Sequence, residues 1–366
     1  MNPATPSIFG VLIRYVPLLL VPVGLLMDQW HVNPQWVFVV TALAIIPLAQ
    51  WMGTSTERVS EHYGTGVSSL LNASLGNGPE IIIGYFALKA GLVDVVKASI
   101  TGSILANLLF GLGIALISSG LRHPNRFVRY DLDAFKVHGS LLLLAISGLI
   151  VPAMFDLSTG SEDEISLEIS VILLLVYLVT LIMTFFPDRP RSDTDDALEI
   201  VHIEHEVDRA HPQWGRLQAI TALIVFTGLL AYTSEVMTRA IEPTAQAMGQ
   251  TPIFMGVFVL ALLGNAAEFM VSARFARTGK LQLAFAISLG ASTQMALLVA
   301  PLLVFIGLYR GLDMNLLFSP YEIAALVMTV AVITSVLNTG KVKPGTGLIL
   351  IALYVMLGVG FLTAKV

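Results

Sequence analysis

Apolar residues fill long windows of this chain without the two-residue alternation of strands, and Gly, Pro or charged clusters bound each window. A helix needs roughly 20 apolar residues to cross a bilayer. That rule predicts helices at about 8–27, 35–52, 66–89, 95–119, 136–155, 165–186, 214–241, 252–275, 282–308, 318–338 and 345–364. The second is predicted to run on to about Tyr63, because 56–61 holds no Pro or Gly to stop it. The fold class is therefore an all-α polytopic membrane protein of about 11 spans. Arg14 interrupts the first window, which reads as a retained helix and not as a cleaved signal.

Composition agrees: 55% of the 366 residues are hydrophobic, 12% are charged, and the mean hydropathy is +0.80. A nucleic-acid binder, a disulfide scaffold and a disordered chain are excluded, and the absence of Cys removes thiolate metal sites. No Walker-type phosphate loop and no His-Glu-x-x-His are present, which argues against direct ATP drive and against an intramembrane metalloprotease. The bilayer is the expected surrounding, with no resident cofactor.

The distribution of Lys and Arg predicts orientation. Loops on the N-terminal side of the membrane hold Arg58, Arg122, Arg126, Arg129, Lys136, Arg189, Arg191, Arg209, Arg216, Arg274, Arg277, Lys280, Lys341 and Lys343; the other side holds only Lys89, Lys97, Arg239, Arg310 and Lys365. The N-terminus is thus expected in the cytoplasm and the C-terminus outside, and the short termini suit a bacterial inner membrane. Segment 187–213 is acidic, carries His202, His205 and His211, and reads as a solvated cytoplasmic linker, with cation or pH sensing as the competing reading. The acidic stretch 156–164 reads as an ordinary outer loop.

A repeat crosses this linker. Leu75-Gly76-Asn77-Gly78-Pro79-Glu80 matches Leu263-Gly264-Asn265-Ala266-Ala267-Glu268 at an offset of 188, and Gly91, Ala98 and Gly102 match Gly279, Ala286 and Gly290. The organisation follows: a leading span over 1–34, a first five-helix repeat over 35–186, the linker 187–213, and a second repeat over 214–366. Five is odd, so the second copy crosses in the opposite sense. That is the inverted-repeat plan of secondary transporters, whose substrate sites lie near the midplane.

Glu80 and Glu268 are the acids expected near mid-membrane, where a charge costs roughly 2.5–3.5 kcal/mol and marks function by default. Two such carboxylates need a cation or protons. Asn77 and Asn265 stand three residues earlier on the same helical face. Pro79 is expected to clash inside the third span and free the Leu75 carbonyl, whereas the second copy has only Gly264 to loosen it. Ser103 and Asn107 on the fourth span, and Ser292, Thr293 and Gln294 on the ninth, add neutral oxygens, with interhelical hydrogen bonding as the competing reading. Such hard ligands select calcium, magnesium, manganese or sodium, and calcium fits best. Glu57 and Glu235, near His62 and Arg239, are secondary candidates for proton relay or cation guidance, against snorkelling or interfacial pairing. His138 and Arg14 read as interface anchors.

With GNGPE, GNAAE, SSLLNASLGN before the first motif and an acidic linker between halves, the sequence resembles the cation/proton exchanger family of the calcium/cation antiporter superfamily across essentially its whole length. The resemblance implies a ten-helix inverted-repeat core after a leading helix. In it Glu80 and Glu268 ligate transported calcium, or protons in exchange, assisted by Asn77, Asn265, Ser103, Gln294 and backbone oxygens, while the second and seventh spans slide. The chain departs from the family pattern at Phe269, where His is usual, and at Ala106 and Ala291 in place of Ser. Its Pro-Glu is similar to the sodium/calcium branch, which would carry Thr-Ser at 77–78. Sodium/calcium or broader divalent exchange, and a passive cation channel, are the alternative functions.

Overall fold

A computed structural model of the protein describes residues 16–63, 65–121, 127–159, 162–185 and 214–363. Each apolar window carries helix. A 3-10 turn leads into α1 (Leu20–Gln29), followed by α2 (Pro34–Ser60), α3 (Thr65–Leu75) and α4 (Gly78–Lys89). The fourth window is α5 (Val93–Leu105), a π segment at Ala106–Gly111 and α6 (Leu112–Ser119); α7 (Leu132–Thr159), α8 (Glu162–Phe185) and α9 (Arg216–Ala247) come next. The eighth window holds α10 (Pro252–Phe254), a π segment at Met255–Leu260, α11 (Ala261–Gly264) and α12 (Ala266–Arg277). Then come α13 (Leu281–Gln294), a π segment at Met295–Val299, α14 (Ala300–Arg310), α15 (Pro320–Val336) and α16 (Thr346–Thr363). Strands β1 (Val128–Arg129) and β2 (Lys341–Val342) pair antiparallel, Val128 opposite Val342.

Among the described residues, seven helices are long and apolar enough to cross a membrane, or up to eight if the bent pair Pro252–Gly264 and Ala266–Arg277 is one span. The first and tenth windows give shorter apolar helices. The acidic linker and its histidines, and Arg14, lie outside the described residues. Of the acidic stretch expected as a loop, residues 156–159 end α7 and 162–164 open α8, with Glu164 exposed.

Contacts divide the chain into two compact units, Met1–Ala90 with Val201–Gln250 and Gly91–Ile200 with Thr251–Val366. These units mix residues from both sequence halves. In the first, α2 packs on α9. Asn33 caps α2 by accepting from the Gln35 N–H at 3.0 Å, and Pro34 opens the first turn, where no N–H is needed. Ile45 and Leu48 are buried, and Trp51 stacks on Phe226 and Trp214 with centroids 5.3 and 6.3 Å apart. The hydroxyls of Thr41, Ser55 and Thr56 donate to carbonyls four residues back, at 2.6, 2.7 and 3.0 Å, so these buried polar groups are satisfied within their own helix. α2 ends at Ser60 and a turn carries the chain to Tyr63, as its sequence predicts.

The second unit depends on close backbone approach. A Cβ on Gly102 would stand 2.2 Å from the Val257 carbonyl oxygen, and one on Gly256 would stand 2.7 Å from that of Val95. Small residues there let α5 and the π segment at Met255–Leu260 touch through backbone, a common packing device in membranes. The repeat is legible in the backbone as well. Gly91 and Gly279 both adopt the left-handed conformation, with φ of +79° and +87°, and the residues after them, Leu92 and Lys280, have φ, ψ of −88°, 55° and −94°, 57°.

Gly102→Ala is expected to destabilise the purified protein by about 1–3 kcal/mol through overpacking against backbone. Gly290→Ala, whose Cβ meets nothing within 4 Å, is expected to stay within about 0.5 kcal/mol of the parent. Thermal melting in one detergent compares them, and equal melting temperatures would contradict the close crossing.

Candidate functional site

The two Gly-Asn motifs interrupt their helices in the same way. Asn77 has φ, ψ of −93°, 17° and Asn265 has −92°, 12°, a bridge-region conformation outside the helical well. Beyond the second break the helix resumes at 51° to its former course. In the first copy, a Cβ on Gly76 would lie 2.6 Å from the Asn72 carbonyl oxygen, and one on Gly78 would lie 2.2 Å from the Met52 methyl. Backbone crowding from the preceding turn requires the glycine at 76, whereas at 78 the Met52 side chain can move aside.

The expected role of Pro79 is corrected by this geometry. It sits in the first turn of α4, where its missing N–H and fixed φ suit a helix start, and not inside a continuous helix. Asn265 breaks its helix with no proline, so the asparagine conformation is the shared cause. Pro79 brings no N–H to the Leu75 carbonyl, and the Ile81 N–H donates to Asn77 at 3.1 Å.

Glu80 and Glu268 therefore lie in the first turns of new helices, third residue in each, and not at mid-helix. Both are half-buried. Helix starts carry partial positive charge that stabilises an anion by roughly 0.3–1 kcal/mol, offsetting part of the cost of a carboxylate in apolar surroundings. Asn77 and Glu80 belong to the first compact unit, Asn265 and Glu268 to the second.

Within the second unit three candidate residues are brought together. The Asn265 amide nitrogen donates to the Ala261 carbonyl at 2.8 Å and to the Ser103 hydroxyl at 3.0 Å, and its oxygen accepts from the Asn107 amide at 2.7 Å. The Ala261 carbonyl can only accept, which fixes the orientation of the Asn265 amide and then that of Asn107. Asn107 is fully buried with its own amide oxygen unpartnered. Most of the bonding capacity of Asn265 thus goes into bracing the break. Ser292 donates to the Ser288 carbonyl in its own helix at 2.9 Å, and half-buried Gln294 ends α13.

Sequence reasoning missed the π segments. Those at Ala106–Gly111 and Met295–Val299 nearly coincide once the repeat offset is applied, and the third, Met255–Leu260, leads into the Asn265 break. Such bulges shift the register of side chains and cluster at functional positions. Their signal in the sequence is only the repeat itself.

Of the secondary candidates, Glu235 makes the interfacial pairing that is its competing reading. Glu235 pairs with Lys89 at 2.8 Å, both partly exposed, while Arg239 pairs with Asp28 at 3.1 Å. The His62 imidazole lies 3.1 Å from the Trp214 carbonyl. Glu57 is half-buried in the last turns of α2 beside Arg58, which is buried and pairs with Glu61 at 2.6 Å. His138 is partly buried near the start of α7. Phe269, where the family pattern carries His, is buried edge-on to Phe110 at 5.4 Å. Among the described residues no three of His, Cys, Asp and Glu gather as a metal cluster.

The family model described as "Sodium/calcium exchanger protein" matches residues 34–186 and 218–363. The chain belongs to this family. Relatives across nearly the full length are named Ca(2+)/H(+) antiporter: one from Aphanothece halophytica is 32% identical, covering 94% of each chain, and one from Synechocystis is 34% identical, covering 89% of this chain and 90% of its own. The solved structure of native YfkE matches with a TM-score of 0.79 at 29% identity, covering 96% of this chain and 100% of its own. The H+/Ca2+ exchanger CAX shares the fold at a TM-score of 0.73 and 16% identity, over 96% of this chain and 88% of its own. As in the rest of the family, the architecture is that of a multi-pass helical membrane exchanger.

Replacing Asn265 with Ala is expected to leave the Asn107 amide and Ser103 hydroxyl without this partner, at about 1–3 kcal/mol for each unsatisfied buried group. Asn265→Asp would turn an acceptor against the Ala261 carbonyl and is expected to be no better. Thermal melting tests both, and a wild-type melting point for either would remove the brace.

Proposed function

We propose that this protein is a secondary transporter exchanging calcium for protons, with Glu80 and Glu268 as the carboxylates that take calcium or protons in turn. The observation that carries the reading is the matched pair of helix breaks at Asn77 and Asn265, each followed by a glutamate at the third position of a new helix. The relatives named Ca(2+)/H(+) antiporter support the choice of ions.

The exchange follows from the cost of burial. Deprotonated glutamates, with Asn77, Asn265, Ser103, Gln294 and the Leu75 carbonyl as neutral oxygens, attract a hard dication. Protonation removes the charge and with it the attraction. A carboxylate carried through the conformational change both charged and empty bears an uncompensated desolvation penalty, so the return step proceeds with protons bound. Calcium is cargo and no resident cofactor is required.

The proposal includes two five-helix repeats over 35–186 and 214–366, after a leading helix within 1–34 and around an acidic linker at 187–213. It places the N-terminus in the cytoplasm and the C-terminus outside a bacterial inner membrane, on the excess of Lys and Arg in the corresponding loops. Asn107 is assigned to support of the break at Asn265, with Ser292 as a secondary oxygen of the site and Glu57 and Glu235 as secondary candidates near the ends of the second and seventh spans.

Proteoliposomes loaded to impose a pH gradient are expected to accumulate calcium without sodium, and Glu80→Gln and Glu268→Gln are each expected to reduce uptake at least tenfold. Uptake that ignores the pH gradient and follows sodium would instead favour sodium/calcium exchange, and uncoupled conductance a channel.

A further inference from the structure

Within the second unit, the starts of three helical segments converge on a pocket of about 390 Å³. Asp94 and Lys97 of α5, the Pro252–Ile253 turn of α10, and Ser319 with Glu322 of α15 line it. Glu322 is only 4% exposed, and no other Asp or Glu among the described residues is as deeply buried.

Its two carboxyl oxygens have different surroundings. Oε2 accepts from the Ser319 N–H at 2.9 Å while the Ser319 hydroxyl accepts from the Glu322 N–H at 3.3 Å, a complete capping box. Oε1 is buried and has no hydrogen-bond partner of good geometry. Beside the carboxyl, within hydrogen-bonding reach of it, lies the fully buried hydroxyl of Thr101. Lys97 acts on Glu322 through space, while its ammonium donates to the Asn315 amide oxygen.

A carboxyl this deeply buried is costly to leave charged, and a proton or a cation removes that cost. A cation is disfavoured by the Lys97 ammonium and by the scarcity of further oxygens, since calcium asks for six to eight. A proton on Oε1 meets both needs, because it neutralises the carboxyl and can be donated to the Thr101 hydroxyl. We propose that Glu322 is a proton-binding residue separate from the Gly-Asn-x-x-Glu motifs, carrying its proton on Oε1, sharing it with Thr101 and exchanging it with water of the Asp94–Lys97 pocket. Only the O–H bond forms and breaks, and water is donor and acceptor.

The charged and titratable groups around Glu322 are few. α5 brings Lys97 and exposed Asp94; α15 itself brings exposed Tyr321; the loop before it brings exposed Asp313. The Ala106–Gly111 segment has no titratable side chain, and α7 carries Asp133, Lys136 and partly buried His138 at its start and Asp156 toward its end, the last not described at side-chain level. The assignment does not depend on calcium/proton exchange, because the proton can be read directly.

The experiment is pH-difference infrared spectroscopy of the full chain in lipid bilayers, which records the carbonyl stretch of protonated carboxyls. Wild type and the Glu80→Gln, Glu268→Gln double variant are both expected to show a titrating band that Glu322→Gln loses. Gln at this position keeps the capping box, so Glu322→Gln is expected to melt near wild type, which separates proton binding from capping. Thr101→Val, which keeps Glu322, is expected to move the same band to higher frequency, and it serves if Glu322→Gln does not fold. A band unchanged in Glu322→Gln, an unmoved band in Thr101→Val, or no titrating band in the double variant would overturn the proposal.

Discussion

A helix surrounded by apolar groups cannot be interrupted without stranding backbone donors and acceptors, each costly to leave unpaired. The Asn265 amide braces the end of the helix where the interruption falls. It returns a donor to the Ala261 carbonyl, which the backbone N–H of Asn265 also approaches at 3.2 Å, and it ties the broken end to Ser103 and Asn107. The placement of Glu80 and Glu268 depends on such a break being stable, because the break converts a mid-span carboxylate into one at the start of a helix.

That conversion changes how a membrane protein can carry an acid. At mid-helix a glutamate has no local compensation from the backbone. At the third position of a new helix it meets unsatisfied N–H groups and the positive end of the macrodipole. The chain thus sets Glu80 and Glu268 at helix starts, where the backbone itself offsets part of the cost of a carboxylate in apolar surroundings. Glu322 uses the same helix position differently. One of its oxygens closes a capping box and the other is left to bind a proton, so one structural motif supports two kinds of acid.

Much of the architecture was legible from pattern alone. Apolar windows located the helices, and the offset of 188 predicted that Gly91 and Gly279, or Asn77 and Asn265, would occupy equivalent places, which their backbone angles bear out. The cause of the break was less legible. Proline is the conspicuous breaker in one copy, yet the conformation belongs to the asparagine, whose stabilising partners come from another span. The π segments and the pairing of Glu235 with Lys89 were hidden for a related reason: each depends on which helix faces which, and hydropathy does not encode that. The burial of Glu322 was missed because a carboxylate beside Ser319-Pro320 reads as an ordinary helix start.

Phe269 and Gly111 illustrate a further consequence of tight packing. A Cβ on residue 111 would stand 2.9 Å from one edge carbon of the Phe269 ring and 3.1 Å from the next. The aromatic ring fills the room that the missing methyl leaves. Alanine at 111 requires the ring to give way, whereas a smaller side chain at 269 needs no change at 111. The side chains that position 111 can accept are therefore set by residue 269, and not the reverse.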